Sequence, residues 1–190
     1  MLRLLRRYVR ELIVYERITR EDFEDIEATA RLAHMGQKRR DGSDYITHPL
    51  AVKSITERHY PDNYPAQILA MLHDTIEDGP ALGHVTEDEL RDFIRGSISD
   101  PRDYIAIDRA LEYMTHDKSV HPIYEDYLSH VFQNKLASIV KISDLIHNLS
   151  HNPSARQIQK YKSALQTVKI PGHIQKSHLD ELMSILETAK

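Results

Sequence analysis

The punctuation of this sequence constrains its fold more than any other feature. Eight prolines cut it into pieces of helical length, and apolar residues recur three and four apart within the pieces. Thr19 is placed to cap a helix with Phe23, Ile26, Ala30 and Ala33 on one face. QKRRDGSDYITHP then reads as a loop, and Pro49 suits the first turn of a helix through Val52 and Ile55. YPDNYP is a second breaker, and Pro65 opens a helix that runs to Gly79-Pro80. Thr86 with Glu89 forms a capping box, and Val85 with Leu90 a hydrophobic staple. Asp100-Pro101 and His121-Pro122 each start a further helix. Leu136, Ile139, Val140, Ile146 and Leu149 mark the next, and Pro153 opens one through Ile158, Tyr161 and Leu165 that Pro171-Gly172 breaks. A last helix covers 174–189, and residues 1–18 read as a basic amphipathic helix at the other end. Alternating strand patterns, linkers and repeats are absent. The expectation is one all-α domain over residues 1–190, a bundle of about ten helices.

Composition narrows the function. At 41% apolar residues with six glycines, the chain is globular and long enough for a real core. A net charge of −4 argues against a general nucleic-acid binder. Cysteine is missing, which removes disulfides, Cys-type zinc sites and thiol nucleophiles and fits a cytoplasmic location. No stretch approaches the roughly 20 apolar residues that span a bilayer. The N-terminal stretch lacks the apolar core and small-residue cleavage site of a signal peptide, so Arg3, Arg6, Arg7 and Arg10 read as a solvated helix face. Composition leaves the oligomeric state open, a homo-oligomer included.

The chemistry concentrates at LHDTIED, residues 72–78. On a continuous helix His73 sits above Glu77, and Asp74 above Glu77 and Asp78. Three carboxylates crowded into a partly buried place cannot all stay ionised unless a positive charge sits among them, and a divalent cation is the economical answer. One turn of helix cannot complete a coordination sphere. His48, at a loop-to-helix corner, and Asp144, in the apolar run VKISDLIHNLS, are the candidates to finish it. Two imidazoles and two carboxylates suit Mn²⁺, Fe²⁺ or Zn²⁺. The plainer alternative is that His48 caps a helix and Asp144 bonds a neighbouring side chain.

The order His48, His73-Asp74, Asp144 resembles that of the HD-domain metal-dependent phosphohydrolases. AHMGQKRRDGSDYITHPL, MLHDTIEDG and VKISDLIHNLS together resemble the hydrolase domain of the RelA/SpoT alarmone enzymes and their stand-alone small relatives, over about residues 28–165. The resemblance implies that His48, His73, Asp74 and Asp144 bind one metal, usually Mn²⁺. It implies that Glu77 and Asp78 orient and activate water, without saying which is the base. It also implies that Arg39 and Arg40 lie beside the nucleotide, that Asn148 contacts the nucleoside and that Tyr161 contacts ribose or base. The implied reaction removes the 3′-pyrophosphate of guanosine tetra- or pentaphosphate. Lys141 shares the helix face of Asp144 and is a further candidate phosphate contact. His34 reads as structural and His147 as a supporting hydrogen-bond partner, while His116, His121, His130 and His151 receive no role. Leu145 stands where a basic residue often follows the aspartate, and 116–134 does not align. Two other readings remain: an HD phosphatase on another nucleotide, such as the 2′-phosphate of NADPH, and a non-catalytic nucleotide sensor, against which the Glu77-Asp78 pair speaks.

Overall fold

The computed structural model describes residues 18–189; the helix expected over 1–18 lies outside them except for its last residue. Ten helices follow one another among the described residues: α1 Arg20–Ala33, α2 Thr47–His59, α3 Tyr64–Leu72, α4 Thr75–Leu82, α5 Glu87–Ser97, α6 Pro101–Met114, α7 Tyr124–Val131, α8 Lys135–Ser150, α9 Ala155–Thr167 and α10 Lys176–Thr188. No strand occurs among them, and a single bridge between Lys38 and Asp44 pins the α1–α2 loop. The all-α expectation holds.

The helix starts follow from their caps. Thr19, Thr86 and Ser154 each accept from the backbone three residues on, and Asp22, Glu89 and Gln157 return the bond as capping boxes. Asn134 caps α8 through two backbone amides, and Asp100 caps α6. Pro122, by contrast, falls outside α7, which begins at Tyr124. Pro80 lies inside α4, and it is Gly83, at φ 77°, that ends this helix.

Helices α3 and α8 form the centre. Every residue of α3 from Ala66 to Leu72 is buried, and α8 buries eleven side chains, from Ala137 to Leu149. A helix apolar on all sides must be surrounded, and α8 packs against α2, α3, α6 and α10. A polar relay crosses this dry region. Thr56 of α2 meets Ser143 of α8 at 2.9 Å, and Ser143 meets His178 of α10 at 3.1 Å.

The expected helix through residues 65–79 is two helices. The chain breaks at His73-Asp74, where Asp74 takes φ −104° and ψ −5°. Side chains cause the break. His73 donates from Nδ1 to the Ala70 carbonyl at 2.8 Å, and the Thr75 hydroxyl donates to the Leu72 carbonyl at 2.7 Å. Both occupy acceptors at the end of α3 that the helical ladder would otherwise use.

Candidate active site

The break turns His73 into the core and leaves Asp74 at the floor of a cavity. His73 is 2% exposed, and its Nδ1–H bond to Ala70 leaves Nε2 facing inward. His48, the second residue of α2, brings its own Nε2 to 3.2 Å from that nitrogen. Asp74 Oδ2 lies 3.0 Å from His73 Nε2 and 3.4 Å from His48 Nε2. Asp144 reaches in from α8, with Oδ1 3.2 Å from His48 Nε2 and 3.8 Å from His73 Nε2. Ligand atoms of His48, His73 and Asp74 all lie within 4.8 Å of one another. Two ring nitrogens and two carboxylates, from residues far apart in sequence, thus converge on one small volume. This donor set fits a divalent cation, because each group in it is an anion or a lone-pair donor.

A second layer of side chains aims the first. His48 Nδ1 pairs with His147 Nδ1 at 2.7 Å. Burial and the charges of His48, His151 and Arg39 push the His147 pKa down to about 3. A neutral His147 accepts from His48 and so leaves His48 Nε2 free as a donor atom. Tyr45 donates to Asp74 Oδ2 at 2.7 Å. Asn148 donates to Asp144 Oδ1 at 2.6 Å, and Lys141 donates to Oδ2 at 2.9 Å. Burial works against charge throughout the cluster, yet the opposite charges win. Asp74 is held well below the usual carboxylate range by His73 and His48, Asp144 is held low by Lys141 and both imidazoles, and Asp74 and Asp144 raise His73 to about 9, a proton that a cation binding at Nε2 would displace.

The Glu77-Asp78 pair divides. Glu77 lines the cavity and accepts from the His116 amide at 3.2 Å. Partial burial raises its carboxyl above the usual range, the His116 amide opposes the rise, and the charges of Asp74 and Asp78 add to it. Asp78 is not part of that wall; it accepts from Gln37 at 2.9 Å, and Gln37 pairs in turn with His34 at 2.7 Å.

The cavity above the cluster has a volume of about 190 Å³. Beyond Glu77 and the cluster itself, Tyr124, Tyr127, Lys141, Lys160 and Tyr161 wall it. A second cavity of about 310 Å³ adjoins it, since Tyr45 and Asn148 line both. Arg39, Arg40, His151 and Gln157 surround this one, and Arg40 is held by Gln157 at 2.9 Å. The arginines therefore stand apart from the donor cluster, and Tyr161 stands beside it. Leu145 is fully buried in the core and lines neither cavity. The reading of residues 73–78 as one helical face is corrected: the break sends His73 inward and leaves Glu77 exposed in the wall. Tyr45, His116, His151, Tyr124 and Lys160 escaped the sequence reading. Only Tyr45 carried a usable signal, because it stands three residues before His48 in the Tyr-Ile-Thr-His-Pro motif.

No protein-family model matches the chain. Over 141 residues, 74% of its length, it is 30% identical to a guanosine-3′,5′-bis(diphosphate) 3′-pyrophosphohydrolase of Haemophilus influenzae. Over the same share it is 28% identical to the bifunctional (p)ppGpp synthase/hydrolase SpoT of Escherichia coli. Over this stretch the chain is similar to enzymes of the RelA/SpoT type. A GTP pyrophosphokinase of Streptomyces coelicolor is 31% identical over 145 residues. The chain spans a fifth or less of the length of these RelA/SpoT relatives: 20%, 19% and 15%. No helix among the described residues is long and apolar enough to cross a membrane.

Proposed function

We propose that the chain is a metal-dependent pyrophosphohydrolase that removes the 3′-diphosphate of guanosine 3′,5′-bis(diphosphate) and its pentaphosphate analogue. One observation carries this reading: two imidazoles and two carboxylates converge at the floor of a cavity that has an acid, Glu77, in its wall. The relatives' names cover both hydrolysis and pyrophosphokinase chemistry. A floor of imidazoles and carboxylates beside a general base favours hydrolysis.

His48, His73, Asp74 and Asp144 would hold the ion, with Mn²⁺ preferred on family grounds and Fe²⁺ or Zn²⁺ as alternatives. When bound there, a divalent cation supplies Lewis-acid polarisation of a phosphate oxygen and lowers the pKa of water. Glu77 takes the proton of the attacking water at its carboxylate. Its raised pKa brings it closer to working pH, where a general base is most effective. Asp78 acts from behind, tied to Gln37 and the α1 end of the loop. Lys141 neutralises charge beside Asp144, and Asn148, at the shared wall, marks where the nucleoside meets the phosphates. Arg39 and Arg40 clamp the part of the nucleotide that lies in the second cavity.

The test is purified protein with Mn²⁺ and a nucleotide panel, reading the released product. Pyrophosphate from guanosine tetraphosphate supports the proposal. Orthophosphate from a 2′- or 3′-monophosphate, NADPH included, replaces it with a phosphatase. Binding without product replaces it with a sensor.

A further inference from the structure

Lys160 differs from Lys141, the other lysine in the wall of the cavity above the cluster. Lys141 is paired with Asp144 and Arg40 with Gln157. Among the described residues no carboxylate is paired with Lys160. Its ammonium lies over the face of Tyr124 at 4.3 Å and of Tyr161 at 4.7 Å. Burial and the charge of Lys141 hold its pKa below the ordinary value. Two ammonium groups thus face one space; Asp144 is bonded to the first, and its charge reaches the second without offsetting burial and the neighbouring cations.

Tyr124 adds an independent sign. Its hydroxyl is buried and has no hydrogen-bond partner, although the residue lines the same cavity. A buried hydroxyl left without a partner is costly, and native structures seldom keep one without a reason. A spare ammonium and a spare hydroxyl donor on one wall describe a receptor for an oxyanion. Its position follows from the chain of contacts. Asp144 offers one oxygen to the donor cluster and the other to Lys141, and Tyr124 and Lys160 meet in the wall of the same cavity through their cation–π contact. A phosphate held at the cluster therefore has Lys141 beside it and Lys160 with Tyr124 farther out.

We propose that Lys160 and the Tyr124 hydroxyl form the subsite for the outer phosphate of the cleaved diphosphate, so that the cavity selects a diphosphate ester over a monophosphate ester. The proposal rests on the hydrolase reading above and names the residues that recognise the diphosphate transferred to water as the bond to the ribose 3′-oxygen breaks. The tyrosine rings hold Lys160 in place through cation–π contacts, which spares the ligand the cost of ordering a long side chain.

Titration calorimetry with inorganic pyrophosphate and orthophosphate, on protein with and without Mn²⁺, tests it. Wild type binds pyrophosphate more tightly. Lys160→Met loses about tenfold or more for pyrophosphate and less than about twofold for orthophosphate, as removal of a charge-assisted bond requires. Tyr124→Phe, which deletes only the hydroxyl, shows a smaller loss of the same selectivity, and Lys160→Arg restores most of it. Unchanged pyrophosphate affinity in both Lys160→Met and Tyr124→Phe overturns the subsite, and so does an equal loss for the two anions. The two readings fail separately. If Lys160 governs pyrophosphate affinity but guanosine tetraphosphate is not hydrolysed, the subsite stands and the proposed function falls. If hydrolysis proceeds while Lys160→Met binds pyrophosphate like wild type, the reverse holds.

Discussion

Glu77 and Asp78 are neighbours in sequence with different surroundings, and that difference is measurable. Glu77 faces the cavity and, among the described residues, accepts from a backbone amide, whereas Asp78 is committed to Gln37. Glu77→Gln is expected to keep the fold and Mn²⁺ uptake and to lower kcat by about 10²-fold or more, the usual cost of a lost general base. Asp78→Asn, which can still bond Gln37, is expected to lose clearly less; equal losses in the two kcat values would assign the base role to neither. Tyr45→Phe removes one hydrogen bond to Asp74. The expected outcome is Mn²⁺ affinity about 10–100-fold weaker by calorimetry, with an unchanged melting temperature in metal-free buffer, as for other partners that orient ligands. At this scale the sequence was most informative about the donor cluster. His48, His73, Asp74 and Asp144 announce themselves because ionisable groups in apolar runs demand an explanation. Lys160 and Tyr124 do not, because each is an ordinary residue on an amphipathic helix until α7 and α9 bring them together.

The elements show why local pattern misreads residues 65–79. Apolar periodicity runs through the segment without interruption, so nothing in it signals two helices. The break comes from hydroxyl and imidazole groups bonding to carbonyls, a competition that periodicity does not record. Capping signals proved more dependable, since Thr19, Thr86 and Asp100 act through bonds to residues two or three positions on. Between elements, the Thr56–Ser143–His178 relay predicts an acid-sensitive joint. Burial, with the charges of His59 and Arg58, depresses the His178 pKa to about 3 from an ordinary 6.5. The unfolded chain therefore takes up this proton first as pH falls. The stability due to the neutral ring is complete above about pH 6.5 and is lost progressively toward pH 3, at up to about 1.4 kcal/mol per pH unit. Denaturant titrations from pH 7 to 4 should give a flatter pH dependence for His178→Gln than for wild type; parallel curves would show that His178 contributes no such linkage.

For the whole molecule, the donor cluster ties α2, the α3–α4 junction and α8 to one point. An ion that binds only this arrangement stabilises the fold by mass action. At a free concentration one hundred times its Kd the gain is about 2.7 kcal/mol, roughly 5–10 °C in Tm for a chain of this size. Differential scanning fluorimetry with and without Mn²⁺ checks this, and EDTA should return the lower Tm and abolish turnover. A Tm indifferent to divalent ions would mean that the four side chains do not act together as a ligand set. The bundle itself was legible from proline spacing and periodicity, but the enclosure of α8 was not. Its apolar residues predict burial without naming the neighbours that supply it.

Adjacent positions of α8 serve different neighbours: Ser143 joins the relay toward α10, and Asp144 reaches the donor cluster. Successive residues on a helix differ by about 100° in direction. Deleting one residue ahead of Ser143 would put the carboxylate where the relay has its hydroxyl, and inserting one would put the hydroxyl where the donor cluster has its carboxylate, so either change costs the relay and the cluster their side chains together. Length variation among homologues should therefore be barred from this helix and gather in the stretch joining α9 to α10, from which no residue lines either cavity.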